Sequence, residues 1–371
     1  MKKIVVIVLA ILMAVGVFAG CTSTPQQTAD LAPTPTPEAG EEPAEEAVEL
    51  PRFIVTLPGQ LGDQSYNDTV KIGIDRAVAS FGVHITYLEA ASPADFEPNA
   101  IAAATGGYDL VIIVSGQQSQ AARNVIPDFP DQLFATVDFA VEDMPNVFSS
   151  LFAVNEGSFL AGAAAAMFTQ MTEIEGVNEQ NIIGWISGIE TPLINDFFGG
   201  FEQGARYIDP DIQILQAFAG SFTDPLRGRE LALAQIEQGA DIIMNVASLT
   251  GLGVLEAAAQ EGRFAIGVDL NQDDLYPGHI LTSMLKNVDV AIYMFVESIL
   301  EDTFRGGETL YFDLSSYAVG LTDFSVFRSI WGDEPVQEII DRVDELSQRI
   351  RSGEIEVVEF PGVRGGNLVR R

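Results

Sequence analysis

Residues 107–113 read Gly-Tyr-Asp-Leu-Val-Ile-Ile, and residues 239–245 carry the related stretch Gly-Ala-Asp-Ile-Ile-Met-Asn. The next apolar segment, Phe-Ala-Thr-Val-Asp at 134–138, has a similar counterpart in Ala-Ile-Gly-Val-Asp at 265–269. Two pairs of related segments at nearly the same separation indicate an internal repeat. The sequence therefore predicts two similar structural units in tandem, and not one long sheet.

Apolar strand patterns alternate with helical patterns along both units. Strand patterns lie at 53–57, 83–88, 109–114, 133–137, 147–151, 182–187, 212–218, 241–246, 264–268 and 280–284. Helical patterns lie between them, for example at 69–81, 156–171, 191–207, 225–238 and 252–261. Such alternation is typical of parallel sheets that helices cover on both faces. The predicted fold class is α/β, with two Rossmann-like lobes.

The first strand-to-helix turn of the chain is Leu-Gly-Asp-Gln-Ser-Tyr-Asn-Asp at 61–68. Ser65, Asn67 and Asp68 suit a helix N-cap. In an open parallel sheet such a turn lies at the carboxyl edge, where ligands bind. A solvated loop with Tyr66 packed against the next helix is the alternative interpretation.

The repeat points to four side chains that could share one cleft. Tyr66 in the first unit corresponds to Phe197 in the second, and Asp138 and Asp269 lie at the ends of corresponding strands. If the lobes face each other, two aromatic rings and two carboxylates converge. Aromatic rings stack on flat ligands, and carboxylates accept hydrogen bonds from ring N–H groups or vicinal hydroxyls. Capping of neighbouring turns is the alternative role for the two aspartates.

The N-terminal region predicts export and a tether. Residues 1–20 combine a basic start, an apolar run and small residues before a cleavage site, as signal peptides do. Cys21, the only cysteine of the chain, follows directly. This position resembles the lipobox of bacterial lipoproteins and implies lipidation of Cys21; an ordinary secretory signal is the alternative. Residues 21–51 are rich in proline and acidic residues, lack Lys and Arg, and predict an extended linker.

Composition excludes several classes of function. The net charge of −34 argues against nucleic acid and anionic membrane surfaces as partners. His84, His279 and a single cysteine are too few for a His-rich or zinc site. The sequence has no Gly-x-x-x-x-Gly-Lys-Ser/Thr phosphate loop and no Gly-x-Ser-x-Gly nucleophile turn. We therefore predict neither an enzyme nor a cofactor, although Asp138 and Asp269 could in principle form an acid/base pair.

An ordered set of motifs extends over about residues 52–360. The motifs lie at 62–67, 159–162, 197–201, 239–241, 251–254, 266–269 and 282–286. Together they resemble the basic membrane protein family of substrate-binding lipoproteins, which includes purine-nucleoside receptors of ABC transporters. The resemblance implies a type I periplasmic-binding-protein fold, with three inter-lobe crossovers and a ligand cleft between the lobes.

The same resemblance implies roles at the base of a nucleoside. Tyr66 matches an aromatic that stacks on the base, with Tyr where Phe is usual. Phe197 matches the aromatic on the opposite side, although Phe198 beside it leaves a one-residue ambiguity. Asn67 and Asp138 match polar groups near the base.

For the sugar, the resemblance implies that Asp269 accepts hydrogen bonds from ribose hydroxyls and that Lys286 reaches the sugar. Gly251 matches a close backbone approach to the ribose. Asp63 and Ser115 are further candidates for ligand binding. No metal ligands are expected.

The predicted function is a lipid-anchored, extracytoplasmic, monomeric solute-binding protein that captures nucleosides, preferentially purine nucleosides, and delivers them to an ABC permease. A binding protein for a simple sugar and a ligand-presenting sensory subunit are the alternatives. Because roughly 320 residues exceed a usual single core, the mature part should form two domains. We expect lobe one to comprise 52–152 and 285–318, and lobe two to comprise 153–282 and 319–371.

Overall fold

The computed structural model describes residues 50–363 and 368–370. The predicted signal peptide at 1–20, the lipidation site Cys21 and the predicted linker as far as residue 49 lie outside the described residues. In the part of the chain that is described, no helix is both long and apolar enough to cross a membrane.

Sheet one is parallel throughout and contains the first strands of the chain. Its strands are β1 (Arg52–Leu57), β2 (His84–Glu89), β3 (Leu110–Val114), β4 (Phe134–Val137), β5 (Val147–Phe152), β11 (Thr309–Phe312) and β13 (Leu368–Arg370). The spatial order is β13-β11-β5-β4-β3-β1-β2. The central strands β3, β4 and β5 are buried along their whole length, which explains their continuous apolar runs.

Sheet two repeats this arrangement. Its strands are β6 (Ile182–Ser187), β7 (Gln213–Phe218), β8 (Ile242–Val246), β9 (Phe264–Asp269), β10 (Ile280–Lys286) and β12 (Val319–Leu321). The order is β12-β10-β9-β8-β6-β7, and only β12 runs antiparallel to its neighbour. The run β10-β9-β8-β6-β7 matches β5-β4-β3-β1-β2 strand for strand. The predicted duplication of an α/β lobe is therefore confirmed.

Helices cover both faces of each sheet. They are α1 (Tyr66–Phe81), α2 (Phe96–Thr105), α3 (Ser119–Val125), α4 (Val154–Phe168), α5 (Pro192–Ile208), α6 (Pro225–Glu237), α7 (Leu249–Gln260), α8 (Val288–Leu300), α9 (Ser325–Trp331) and α10 (Gln337–Arg351). Strand β1 shows the division, since Phe53 and Val55 enter the core that contains α1 and α8, whereas Ile54 enters the core of α2 and α3. In sheet two, Trp185 packs toward α4 and α5, and Ile186 toward α6 and α7. We call sheet one with α1, α2, α3 and α8 lobe one, and sheet two with α4 to α7 lobe two.

The chain passes between the lobes where β5 leads into α4, where β10 leads into α8, and where β11 leads into β12. The exact lobe boundaries remain a prediction. Leu285 and Lys286, expected in lobe one, are the last residues of β10 in sheet two. Residues 368–370, expected in lobe two, pair with β11 in sheet one.

Some elements departed from the sequence patterns. Strands β11 and β12 were not predicted, because three or four residues are too few to carry a period. The segment 355–358, which resembles a strand in sequence, forms none. Its Val358 exchanges two hydrogen bonds with the Gln203 side chain on α5, so a side chain takes the place of a neighbouring strand.

Candidate functional site

A cavity of about 950 Å³ lies between the carboxyl ends of the two sheets. Lobe one lines it with the turns that follow β1, β2, β3 and β4, and lobe two with those after β6, β7 and β8 and the ends of β9 and β10. Ligands of doubly wound folds bind outside the carboxyl ends of the strands, and this volume is typical of small-molecule sites. The cavity is therefore the candidate ligand site.

The structure brings together most of the residues that the sequence singled out. Those that line the cavity are Asp63, Tyr66, Asn67, Ser115, Asp138, Phe197, Asp269 and Lys286. Gly251 is absent from this lining. A β-carbon at Gly251 would lie 2.0 Å from Oδ1 of Asn245. The glycine thus makes room for a neighbouring side chain within lobe two.

Four polar residues at strand ends have backbone conformations that non-glycine residues seldom adopt. Ser115 and Asp138 follow β3 and β4 with φ of 76° and 74°, and Ser248 and Asp269 follow or end β8 and β9 with φ of 51° and 63°. Asp138 and Asp269 are equivalent through the repeat, and Ser248 lies one position after the equivalent of Ser115. Left-handed backbone of this kind is strained and concentrates at functional sites. Both lobes thus direct a Ser and an Asp toward the cavity from matching strand ends.

Asp63 is the organising carboxylate of the first turn. Its Oδ1 accepts from the N–H groups of Ser65 at 3.1 Å and Asp68 at 3.2 Å. Its Oδ2 accepts from Asn67, both from the backbone at 3.0 Å and from the side-chain amide at 2.9 Å. A further bond to Oδ2 comes from the Ser248 hydroxyl at 2.8 Å. The bonds from the Asn67 and Asp68 N–H groups satisfy donors in the first turn of α1, and the five bonds together fix the positions of Tyr66 and Asn67.

Lys286 and Asp138 form a buried ion pair between the sheets. The Lys286 Nζ lies 2.6 Å from Oδ1 of Asp138, and both side chains are 2 % exposed. The ammonium group also lies 4.9 Å from the centre of the Tyr66 ring and 5.4 Å from that of Phe152. Burial raises the pKa of the Tyr66 hydroxyl well above its usual range, and the adjacent Asp138 carboxylate raises it further. Tyr66 therefore stays neutral and offers a ring and a hydroxyl.

Asp269 lies at the end of β9, where its Oδ2 accepts a 2.5 Å hydrogen bond from the Ser65 hydroxyl. Burial raises the pKa of Asp269 to about 6, while Lys286 and the Ser65 hydroxyl oppose that rise and the charges of Asp63 and Asp138 add to it. The Lys286 ammonium group thus contacts one carboxylate, that of Asp138, and interacts electrostatically with a second, that of Asp269. Within residues 50–363 and 368–370 no cluster of His, Cys, Asp and Glu has the arrangement to hold a metal ion. The site is rich in acceptors and suits a ligand with hydroxyl and N–H donors.

Two aromatic residues of lobe two border the cavity. Phe197 does so from α5, whereas Phe198 packs edge-on against Trp185 at 5.5 Å and points into the core. Phe222, which the sequence analysis missed, lines the cavity from the turn after β7 and is only partly buried. A β-carbon at Gly188 would lie 2.3 Å from this ring, so the glycine admits it. No repeat signal could have found Phe222, because the corresponding turn at 90–93 has no aromatic residue.

Comparison with known proteins finds relatives over most of the chain. The family described as ABC transporter substrate-binding protein PnrA-like matches residues 51–358. Basic membrane protein A2 of Borrelia garinii subsp. bavariensis is 30% identical over 314 residues, which is 83% of this chain and 88% of that protein. An uncharacterised lipoprotein of Pyrococcus abyssi is 29% identical over 353 residues, with coverage of 85% and 86%.

Solved structures of solute-binding proteins have a similar fold. A solute-binding protein of an ABC transporter system from Aeropyrum pernix has a TM-score of 0.74 at 30% identity, covering 84% of this chain and 93% of that one. One from Conexibacter woesei has a TM-score of 0.63 at 21% identity, covering 84% and 99%, and is a likeness of fold alone. The expected periplasmic-binding-protein fold, two lobes around a cleft, is confirmed.

Proposed function

The chain belongs to the family of PnrA-like ABC transporter substrate-binding proteins, and on that premise we propose that it captures a nucleoside, preferentially a purine nucleoside, between its lobes. The observation that carries the proposal is the meeting of Tyr66, Phe197, Asp138 and Asp269 on one cavity, two residues from each lobe. A nucleoside combines a flat base with vicinal hydroxyls, and these residue types recognise both parts.

The aromatic residues would recognise the base of the nucleoside. Stacking on an aromatic side chain contributes roughly 1–3 kcal/mol per base, and it requires a planar partner. Tyr66 from lobe one and Phe197 with Phe222 from lobe two provide such surfaces along the cavity. Asp138 and Asn67, which also line it, are suited to accept from N–H groups at the edge of the base.

The carboxylate of Asp269 accounts for the sugar. A carboxylate at the end of a parallel strand is the group that accepts from ribose hydroxyls in dinucleotide folds. Lys286 beside it supplies the positive charge that keeps the acidic cluster from repelling an oxygen-rich ligand. A simple sugar would find the same carboxylates, but it offers the rings a less planar surface.

Delivery to a permease follows from the family, whose members are substrate-binding proteins of ABC transporters rather than enzymes. Ligand contacts from both lobes stabilise the closed form, which the permease would recognise. We further propose that Cys21 carries a lipid anchor that holds the protein at the extracytoplasmic face of the membrane. The acidic, proline-rich stretch at 21–51 would then separate the lobes from the bilayer.

Native mass spectrometry of the purified protein, followed by a thermal-shift panel, tests the proposal. The panel contains inosine, guanosine, adenosine, ribose and glucose. A ligand that binds only the folded state raises the melting temperature with its concentration. We expect mass additions or shifts from purine nucleosides and none from the sugars. If only a sugar shifted the melting temperature, the ligand would be a sugar and not a nucleoside. If no compound did so, both the nucleoside and the sugar proposals would be refuted.

A further inference from the structure

Two serines beside the cavity occupy helix N-cap positions, but their hydroxyls do not cap the helices. Ser65 is the N-cap residue of α1, and Ser248 is that of α7. A serine in this position normally accepts a hydrogen bond from the backbone N–H two or three residues later. Neither hydroxyl does so here. The two serines therefore have a different use for their hydroxyl groups.

Each hydroxyl donates instead to an aspartate of the opposite lobe. Ser65 of lobe one donates to Asp269 Oδ2 at 2.5 Å, and Ser248 of lobe two donates to Asp63 Oδ2 at 2.8 Å. The arrangement is reciprocal, because each lobe contributes one serine and one aspartate. We call these four residues the serine–aspartate latch.

Three of the four latch residues are buried and Ser248 is partly buried, so the bonds are largely shielded from water. Ser65, Asp63 and Asp269 are 0, 2 and 7% exposed. Hydrogen bonds to ionised groups are shorter and stronger than neutral ones. Beside them, Gln272 Nε2 donates to the Gln64 carbonyl at 2.9 Å, which is another bond from lobe two to the same turn. These hydrogen bonds thus connect the first strand-to-helix turn of lobe one to lobe two.

We propose that Ser65 and Ser248 are positioning residues of the ligand site that act only when the lobes are closed. The Ser65 hydroxyl holds one oxygen of Asp269 and so orients the other toward the ligand. Ser248 holds Asp63, whose bonds fix Tyr66 and Asn67. Separation of the lobes breaks both bonds at once. The latch therefore stabilises the closed form and slows ligand release; this role rests on the proposed function insofar as Asp269 contacts the ligand.

Binding kinetics of Ser65→Ala, Ser248→Ala and the double variant test the proposal, with inosine as the probe. A hydrogen bond to a charged group corresponds to about tenfold or more in an equilibrium constant. We expect the dissociation rate constant to rise about tenfold for each substitution, with the association rate constant within about twofold. That separation of rates distinguishes a latch from a general loss of structure.

Asp224→Ala is the matched control. Asp224 is the N-cap of α6, accepts from the Arg227 N–H at 3.0 Å, and lies outside the cavity lining. Its loss removes a true cap from lobe two and should lower the melting temperature without changing inosine release. Small-angle X-ray scattering of the ligand-free proteins adds an arm that needs no ligand. There, the double serine variant should have a larger radius of gyration than the parent and Asp224→Ala.

An unchanged dissociation rate in the double variant, or an unchanged radius of gyration, would overturn the latch. A parent protein that binds no nucleoside, but opens when the serines are removed, would retain the latch and refute the nucleoside proposal instead.

Discussion

Asp269 shows at the scale of one residue how the fold prepares a ligand contact. It ends a buried strand with φ of 63°, accepts a hydrogen bond from the Ser65 hydroxyl and lies near Lys286. Burial of a carboxylate is costly unless hydrogen bonds or opposite charges compensate for it. The strain and the burial together indicate a position selected for its chemistry and not for stability.

Asp269→Ala should therefore weaken nucleoside binding much more than it weakens the fold. Ligand hydroxyls would lose a charged acceptor, so we expect a loss of affinity of about tenfold or more in calorimetry. The unfolding free energy should change little, because the cost of burying the Asp269 charge is removed and Lys286 keeps its ion pair with Asp138. Asp274→Ala is the control, since Asp274 is exposed on the following loop. Equal affinity of Asp269→Ala and the parent would remove Asp269 from the site.

The raised pKa of Asp269, about 6, makes nucleoside binding dependent on pH. Below that pKa the carboxyl is protonated in the free protein and loses acceptor strength, so binding must expel the proton. Affinity should be full above pH 7 and should fall by about tenfold per pH unit below 6. Calorimetry between pH 5 and 8 measures this dependence. Asp269→Asn should bind weakly at every pH. If the affinity of the parent protein did not change between pH 5 and 7, the assignment would be contradicted.

The site residues that could be predicted from the sequence are those that a sequence pattern marks. Asp138 and Asp269 were predictable because the repeat marks both, and Tyr66 because it interrupts a capping turn. Phe222 and Ser248 carry no such mark. Ser248 resembles an ordinary N-cap in sequence, and only the positions of the two lobes show that its hydroxyl reaches Asp63.

At the scale of elements, the separation that relates Tyr66 to Phe197 also relates Gly73 on α1 to Gly204 on α5, and both glycines lie at contacts between helices. A β-carbon at Gly73 would lie 2.8 Å from the Asp289 backbone on α8, and one at Gly204 would lie 1.9 Å from the Phe159 carbonyl oxygen on α4. The long strands and helices were predictable from their apolar periods. Strands of three or four residues were not, because their pairing is decided by distant parts of the chain.

Gly204→Ala should force α5 away from α4. Overpacking of this kind costs about 1–3 kcal/mol of unfolding free energy. Gly199 lies in the same helix with open space where a β-carbon would be. Gly199→Ala should instead raise the unfolding free energy by about 0.5–1 kcal/mol, because alanine loses less conformational entropy in a helix. Denaturant unfolding compares the two variants, and a destabilising Gly199→Ala or a neutral Gly204→Ala would contradict this packing.

The Lys286–Asp138 pair joins the end of β10 to the end of β4 and so couples the two sheets. Lys286→Met leaves Asp138 buried without its counter-charge, which typically costs about 3–5 kcal/mol. Adding Asp138→Asn should recover most of that loss of unfolding free energy, although nucleoside binding should stay weak. Denaturant unfolding of both single variants and the double variant gives the coupling energy. Purely additive effects would mean that the pair does not act as a unit.

At the scale of the whole molecule, duplication explains why the site lies where it does. Each lobe presents the carboxyl ends of its strands, and the chain crosses between lobes beside β5, β10 and β11, so the two edges face one cavity. The fold and eight residues of the cavity lining could be inferred from the repeat and the family resemblance. How the lobes contact each other could not, because the latch depends on distances between residues about two hundred positions apart.

The crystal structure of the protein grown with inosine tests the central claim most directly. The account predicts the base against the Tyr66 ring, with Phe197 or Phe222 on the other side, and the ribose hydroxyls within hydrogen-bond distance of Asp269. A nucleoside bound outside the cavity, or one inside it with Asp138 and Asp269 turned away, would contradict the account.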